Sequence, residues 1–335
     1  MKRLLFIFGG VALLVGAVLL IFPELRLGLF GVALPQRLQK GRLDQVSCVS
    51  MLMNAHEIRG LSENKSLEMD EDVQPDVYDL ALGLLERVEI DGANPVVNYQ
   101  VKEENLAQVG VHKPSKILNN IFSLRLGPQG APVGFELLKG KFSTVLDNVR
   151  LTQLLAPLWI IRPAKRVAVG EEWSGRYKLE YALNTLNNKK VCLEHRMHYA
   201  IEEIKPENEI KLAKINYQGE ISFTPLDSIP EGTEIDGRGR VKGTALMNLE
   251  SGMVILADDR TTWVYAVRHQ QEEIEELSLY DRKSRLFRPK FVPKGAAGFK
   301  SIMPEDGEAP ALDQVDNASG SGASGNAGGA SDKEK

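Results

Sequence analysis

The sequence predicts a mainly β protein: an antiparallel β-sandwich or an open barrel, with one covering helix and an N-terminal transmembrane helix. Two observations predict the β-body. Pairs of apolar runs are joined by turn residues, and apolar or aromatic residues alternate with mostly charged ones over 193–201. A period of two is typical of a half-buried strand. A third observation, an uncharged apolar run near the start of the chain, predicts the membrane helix.

This apolar run, residues 4–22, reads LLFIFGGVALLVGAVLLIF and follows Lys2 and Arg3. As a helix it would reach roughly 28 Å, close to the about 30 Å of a bilayer's hydrocarbon core. No good small-x-small cleavage site follows Phe22, since the nearest, Gly31-Val32-Ala33, lies beyond Arg26 and just before Pro35. This favours an uncleaved anchor over a cleaved signal peptide. The basic N-terminus favours a cytoplasmic start. We therefore expect a single-pass protein of the inner membrane, with its body outside the cytoplasm.

Composition divides the rest of the chain into a membrane-proximal segment, a β-rich body and a polar tail. From Asn317 onward there is no large apolar residue, which predicts flexible coil. The predicted segments are 1–24 (anchor), 25–42 (membrane-proximal), 43–160 (first β-rich half with the helix), 161–281 (second β-rich half), 282–303 (basic connector) and 304–335 (disordered tail).

Four hairpins are predicted in the body. In the first, Asp91-Gly92 separates the runs 84–90 and 96–101. Asp-Gly between β-type runs is a strong turn signal. The other turns are predicted at 127–130, 205–208 and 249–252.

One helix interrupts the hairpins. Apolar residues recur near helical spacing over 141–159, and Pro157 is expected to bend or end the helix. We expect the helix to cover a face or an edge of the sheet, because an exposed sheet edge invites unwanted pairing.

Two stretches of the body resemble two later stretches in the same order. Residues 85–100 are similar to 201–218, and 122–136 are similar to 244–258. Ordered similarity of this kind favours two related β-rich halves. The alternative is coincidence, since hairpins share β-type residues.

The stretch Pro163–Trp173, PAKRVAVGEEW, resembles the beginning of a β-domain in secreted proteins of bacterial envelopes whose activity is unknown. In those proteins a long hairpin and a glycine-containing hairpin follow. Here Gly237, Gly239, Gly243 and Gly252 occupy that place. The resemblance covers about residues 46–268. It implies an exported β-sandwich or open barrel, and it implies no catalytic residue.

Composition excludes several function classes. The net charge of −4 argues against nucleic-acid binding. Cys48 and Cys192 are the two cysteines, and we interpret them as buried thiols, with a disulfide as the open alternative. No Cys/His spacing typical of a zinc site occurs, and no cofactor is predicted.

The sequence also lacks a strong catalytic signature. His195 and His198 form HxxH, but positions i and i+3 of a strand point to opposite faces. Asp258-Asp259 is a candidate carboxylate pair for a hydrolase. Such an enzyme also needs a defined distance between its two carboxylates, which a sequence does not show. No nucleophile-elbow, phosphate-loop or HExxH motif is present. We therefore predict that the protein is not an enzyme.

A basic and aromatic cluster follows the body. Such a mixture suits an anionic membrane surface or an acidic partner, and the alternative is a solvated connector. The predicted docking residues are Arg282, Lys283, Arg285, Phe287, Arg288, Lys290 and Phe291.

Three function classes remain. The first is a non-enzymatic interaction or scaffold component of the cell envelope, with the membrane bound through residues 4–22 and a protein partner. The second is a module that binds a lipid or another apolar ligand. Its predicted lining is Leu154, Leu155, Leu158 and Trp159. The third is an undetected hydrolase. No nucleic-acid partner is predicted.

Overall fold

The fold was analysed in a computed structural model of the 335-residue chain. The structure describes residues 32–34, 40–61, 66–91, 94–109, 116–143, 145–183, 186, 188–207 and 210–290. The predicted anchor, most of the membrane-proximal segment and the predicted tail lie outside the described residues. Among those described, no helix is both long enough and apolar enough to cross a bilayer.

The body is a single antiparallel sheet, and the described residues contain eleven strands and one α-helix. The mainly β prediction is confirmed, with one sheet in place of a two-sheet sandwich. The strands are β1 (Leu43–Gly60), β2 (Asp76–Asp91), β3 (Asn94–Val109), β4 (Ile121–Leu126), β5 (Pro132–Lys139), β6 (Glu172–Leu183), β7 (Lys189–Glu207), β8 (Ile210–Pro225), β9 (Thr233–Asn248), β10 (Met253–His269) and β11 (Ile274–Phe287).

The sheet curls into a nearly closed barrel. Every strand pairs with the next one along the chain except β5 with β6, and β1 also pairs with β11, so the strand order is β5-β4-β3-β2-β1-β11-β10-β9-β8-β7-β6. The two end strands, β5 and β6, lie close to each other without a described backbone ladder between them. We call the junction between β5 and β6 the seam.

Alternation along the strands separates the inside of the barrel from its outside. On β7, Leu193, His195 and Met197 are buried, whereas Arg196 and His198 are exposed. The period-two prediction for this strand is therefore confirmed. The outer face of β7 is polar and the inner face is apolar or aromatic, so the hydrophobic core lies within the barrel.

The four predicted hairpins correspond to β2–β3, β4–β5, β7–β8 and β9–β10. The two pairs of similar stretches occupy β2–β5 and β7–β10 in the same order. Both sets belong to one sheet and to one compact unit, so they do not form separate domains. An origin by duplication stays a prediction.

The α-helix, α1 (Asn148–Leu155), is followed by a 3-10 turn at Ala156–Leu158. Asp147 caps it, since its Oδ1 accepts a hydrogen bond from the Arg150 backbone N–H at 2.8 Å. The helix is shorter than predicted because Pro157, inside the 3-10 turn, lacks the N–H that an α-helix needs there. We call residues 145–162, which contain α1 and the turn, the plug.

The plug runs lengthwise through the barrel, and α1 packs against β5 and β6, the two end strands of the sheet. Just before it, the Lys141 carbonyl accepts a hydrogen bond from Asn120 Nδ2 at 2.8 Å, next to the start of β4. At its far end the Arg162 N–H donates to the Gln129 carbonyl in the β4–β5 turn at 2.8 Å. These two contacts lie at opposite ends of β4. The curled sheet leaves an apolar interior, and this segment fills it.

Candidate functional site

The plug contacts inward-facing side chains from widely separated strands. Trp159 Nε1 donates to the Tyr99 hydroxyl on β3 at 2.7 Å. The Arg150 guanidinium lies 5.8 Å from the Trp263 ring centroid on β10 and 5.2 Å from that of Tyr280 on β11. Cation–π contacts of this length are favourable, particularly when desolvated. The interior of the barrel is thus a packed core built around the plug.

All four residues predicted to line an apolar ligand site belong to the plug. Leu154, Leu155, Leu158 and Trp159 are buried within the main core. A plain core and a ligand site both require such residues, so the predicted lining stays a prediction. Because these four side chains fill the core, a ligand that bound there would have to replace them.

A hydrogen-bonded chain ties the plug to both sides of the barrel. Trp263 Nε1 donates to Gln153 Oε1 at 3.2 Å, and Gln153 Nε2 lies 3.0 Å from His195 Nε2. His195 Nδ1 lies 3.3 Å from the Leu193 carbonyl, which can only accept. The network therefore assigns the proton to Nδ1, and the Gln153 amide donates to Nε2.

His195 is neutral in this arrangement. Burial lowers its pKa to about 3, the Leu193 carbonyl raises it, and Arg282 lowers it further. The ring also stacks on Tyr177, with centroids 4.3 Å apart. A neutral imidazole satisfied on both nitrogens holds the plug in place and is not arranged as a base or a metal ligand.

A buried ion pair lies beside this chain. Both side chains of Asp259 and Arg282 are completely buried, and Arg282 Nη2 donates to Asp259 Oδ2. Ser284 donates to the other carboxylate oxygen, and Arg282 Nη2 also lies 2.8 Å from Thr261 Oγ1. Burial raises the pKa of Asp259, while Arg282 and the hydroxyl groups lower it. The geometry is that of a charge-assisted pair in which both carboxylate oxygens of Asp259 accept a hydrogen bond.

Some polar atoms next to the pair are not satisfied. Among the described residues, Arg282 Nε and Nη1 have no hydrogen-bond partner, nor do the hydroxyls of Tyr217 and Tyr280. Most buried polar groups in proteins are paired, because each unpaired group costs about 1–3 kcal/mol. The interior of the barrel around the ion pair therefore contains unpaired hydrogen-bonding groups surrounded by apolar side chains.

A small cavity lies between the plug and Tyr217, one of these residues. Its volume is about 20 Å³, enough for one water molecule and too small for a larger ligand. One wall belongs to the plug, and the other carries Asp259, Thr261 and Tyr217. The lining residues are Pro132, Gln153, Ala156, Pro157, Trp159, Ile160, Tyr177, Met197, Tyr199, Tyr217, Val241, Asp259 and Thr261.

The cavity reaches the seam. Pro132, the first residue of β5, lines it on one side, and Tyr177 of β6 lines it on the other. Between these strands α1 packs against both β5 and β6. At the seam, contacts of α1 with both strands therefore take the place of a described backbone ladder.

Arg162, at the end of the plug, is a second buried arginine, and its described partner is a backbone carbonyl in place of a carboxylate. It is only 7% exposed, and Nη2 donates to the Gly252 carbonyl at 2.7 Å. Nε and Nη1 have no partner, and no ion pair to Arg162 occurs among the described residues. Burial lowers its pKa to about 10, while nearby Tyr199 raises it. The group therefore stays charged at neutral pH without a carboxylate.

The predicted basic docking segment is not a free connector: residues 282–287 belong to β11. Arg282 points inward to Asp259. Arg285 points outward, with Nε 2.6 Å from Asp258 Oδ1. Lys283 and Phe287 are half-buried, Lys290 is exposed, and Phe291 lies outside the described residues.

Arg288 is buried as well. Its Nη1 and Nη2 donate to the two Glu86 carboxylate oxygens at 3.0 Å each, and Nε donates to the Val254 carbonyl at 2.9 Å. Buried charges need such partners. The docking residues that the structure describes therefore do not form one exposed surface. Their carboxylate partners lie in other strands, which sequence spacing does not reveal.

The candidate catalytic pairs are separated by the pleat. Asp258 faces outward to Arg285 and Asp259 faces inward to Arg282. His195 faces inward and His198 outward, as predicted. In the part of the chain that the structure describes, no group of three or more His, Cys, Asp or Glu residues is placed to hold a metal ion. Cys48 and Cys192 are both buried free thiols.

Comparisons with known proteins give little. No family model matches the chain, and no curated protein matches it. Two solved structures are weakly similar. An outer membrane channel from Pseudomonas putida F1 has 10% identity and a TM-score of 0.17, covering 75% of this chain and 97% of the channel. The CymD monoaromatic hydrocarbon channel has 6% identity and a TM-score of 0.12, covering 76% and 90%. Scores this low carry no functional argument, and the resemblance to envelope proteins stays a prediction.

The predicted localisation, a single-pass protein of the inner membrane, is wrong on these findings. Among the described residues, no helix could span a bilayer. The apolar run at 4–22, on which that prediction depended, lies outside the described residues.

Proposed function

We propose that this protein is a non-enzymatic binding module for an apolar small molecule, which enters the barrel at the seam and takes the place of part of the plug. The observation that carries the proposal is the seam itself. Among the described strands, β5 and β6 are neighbours without a backbone ladder, α1 packs against both, and each contributes a residue to the lining of the cavity.

The character of the interior supports this function. Small-molecule sites are lined mainly by apolar and aromatic side chains, with a few polar groups that orient the ligand. Here Trp159, Tyr199 and Met197 supply the apolar surface, and Asp259 with Thr261 supplies the polar end. A ligand larger than water requires the plug to move, because the cavity alone is too small.

Displacement of the plug has a definite energetic condition. Burial of apolar surface contributes about 25 cal/mol per Å², so a ligand must bury an area similar to that of Leu158 and Trp159. It must also compensate for the Gln153 hydrogen bonds to Trp263 and His195. Binding should therefore become tighter when those hydrogen bonds are removed, because less free energy is then needed to move the plug.

Tryptophan fluorescence tests the proposal without a label. The chain has three tryptophans, and Trp159, Trp173 and Trp263 are all buried in the core. Titration of the full-length protein with 1-dodecanol should give a saturable change in emission. Gln153→Ala should bind severalfold more tightly. The control, Gln218→Ala, changes an exposed glutamine on β8 and should match the wild type. Absence of a saturable change in both the wild type and Gln153→Ala would exclude the function.

A second candidate function is a protein interaction along β5. This strand pairs only with β4, and its outward residues Val133 and Leu138 are 54% and 51% exposed. An open edge with exposed apolar side chains can accept a strand from a partner. Val133→Lys with Leu138→Glu should then abolish co-purification of that partner while leaving 1-dodecanol binding unchanged.

A further inference from the structure

We infer that the ligand of this barrel carries an acidic group, a carboxylate or another oxyanion, and that Arg162 binds it. The inference rests on the proposed function and names the chemical class of its ligand. A neutral apolar molecule would need only the packed interior, whereas an acid also needs a cation that no protein carboxylate already neutralises.

Arg162 is the buried cation that meets this condition. Arg282 is neutralised by Asp259, and Arg288 is neutralised by Glu86. Arg162 has a single carbonyl partner, Gly252, and two nitrogen atoms that are buried and unpaired among the described residues. A charge removed from water without a partner is costly, so an oxyanion at this point would be strongly favoured.

The position of Arg162 also fits a ligand that lies in the barrel. It lies just beyond the cavity, two residues after Ile160, which lines the cavity, and is not itself a lining residue. Tyr199, a second lining residue, is close enough for the Arg162 charge to lower the pKa of its hydroxyl, whose pKa is raised overall by burial. An acid group at Arg162 would therefore sit at the plug's exit, with the apolar body of the ligand extending along the space that the plug now fills.

The guanidinium geometry suits an oxyanion better than it suits other groups. Guanidinium presents donors in a planar fork that matches carboxylate and phosphate oxygens. Nη2 uses one of its two hydrogens on Gly252, so the other can form such a fork with the unpaired nitrogen, Nε or Nη1, on the same edge of the guanidinium. An alcohol offers one oxygen without a charge, so it should gain much less from the same site.

The test compares two probes that differ only in the head group, dodecanoic acid and 1-dodecanol, at pH 8 on the full-length chain. We expect the wild type to bind the acid about tenfold more tightly, a difference of about 1.4 kcal/mol. Arg162→Gln should bring the acid to the affinity of the alcohol and leave the alcohol unchanged. Arg176→Gln, an exposed arginine on β6, is the matched control and should keep the preference.

The outcomes separate the two proposals. Equal wild-type affinity for both probes, or an equal loss of both in Arg162→Gln, overturns the role of Arg162 and leaves the binding function standing. Binding of neither probe overturns the binding function, and this inference with it. Circular dichroism checks that Arg162→Gln is folded. If it is not, the wild-type preference between the probes still decides the inference.

Discussion

Arg282 and Arg162 are both buried arginines inside one barrel, yet their surroundings differ. Arg282 comes from β11, in the continuously paired part of the wall, and it contacts a carboxylate and a threonine hydroxyl. Arg162 comes from the end of the plug, near the seam, and it contacts one backbone carbonyl. The first is compensated by the fold and the second is not.

The two arginines therefore differ in what they do for the fold. A buried ion pair held by neighbouring strands keeps the wall in register, and loss of either partner leaves an uncompensated charge. A buried cation without a carboxylate partner costs stability, and we assign it to ligand binding.

The largest effect is expected when the ion pair is broken. Asp259→Ala leaves Arg282 buried without a carboxylate and should lower the free energy of unfolding by about 3–5 kcal/mol. Urea unfolding measures it. The double variant Asp259→Val with Arg282→Met should recover most of that loss, since both charges are gone. A loss below about 1 kcal/mol in the single variant would mean that the pair is not structural.

A smaller effect is expected from packing around the pair. A Cβ on Gly243 would lie 2.5 Å from the Tyr217 hydroxyl and 2.5 Å from the Asp258 carbonyl oxygen. Overpacking of this kind typically costs about 1–3 kcal/mol, so Gly243→Ala should be destabilised by that amount. At Gly60 a Cβ would meet no atom within 4 Å, so Gly60→Ala is the control. Equal stability of the two variants in thermal unfolding would contradict the close approach.

The attachment of the plug should depend on pH through His195. Burial holds its pKa at about 3, below the ordinary value of 6.5, so the unfolded chain binds the proton first as the pH falls. Stability should be full above about pH 6.5 and should decline toward pH 3, by up to about 1.4 kcal/mol per pH unit. His195→Gln should flatten the decline, whereas His198→Gln, on the outer face, should keep it. Unfolding at pH 7 and pH 5 measures the difference.

The smallest effect is expected at the unpaired arginine. Arg162→Met removes a buried charge and one hydrogen bond to Gly252, so the free energy of unfolding should stay within about 1 kcal/mol of the wild type. Urea unfolding beside Arg282→Met, which should lose several kcal/mol by the same rule, gives the direct contrast. A loss of more than about 3 kcal/mol in Arg162→Met would place Arg162 with the structural pairs.

Local patterns predicted much of the wall and little of the interior. The hairpins β2–β3, β4–β5, β7–β8 and β9–β10 were readable because turn residues and alternation act between near neighbours in sequence. The predicted β-rich body ended at residue 281, so β11, which continues to Phe287, was not predicted. Its arginines, Arg282 and Arg285, looked like part of a solvent-exposed cluster, because their partners Asp259 and Asp258 lie in another strand, β10.

The candidate site was predicted only in part. The apolar spacing of 141–159 indicated a helix, and Leu154 and Trp159 were singled out as a lining. Two signals were present but unused: alternation places Asp258 and Asp259 on opposite faces, and it places Arg282 and Ser284 on one face. Neither the pairing of Asp259 with Arg282 nor the isolation of Arg162 could be derived, because both depend on which strands become neighbours.

The sequence by itself determined a strand-rich antiparallel body with one helical segment, since periodicity and turn chemistry are local properties. Only the tertiary structure decided that β1 pairs with β11, that the helical segment lies inside the barrel, and that one buried arginine is neutralised while another is not. The physical reason is that burial and ion pairing depend on distance in space, and ring closure of the sheet brings together residues that are far apart along the chain.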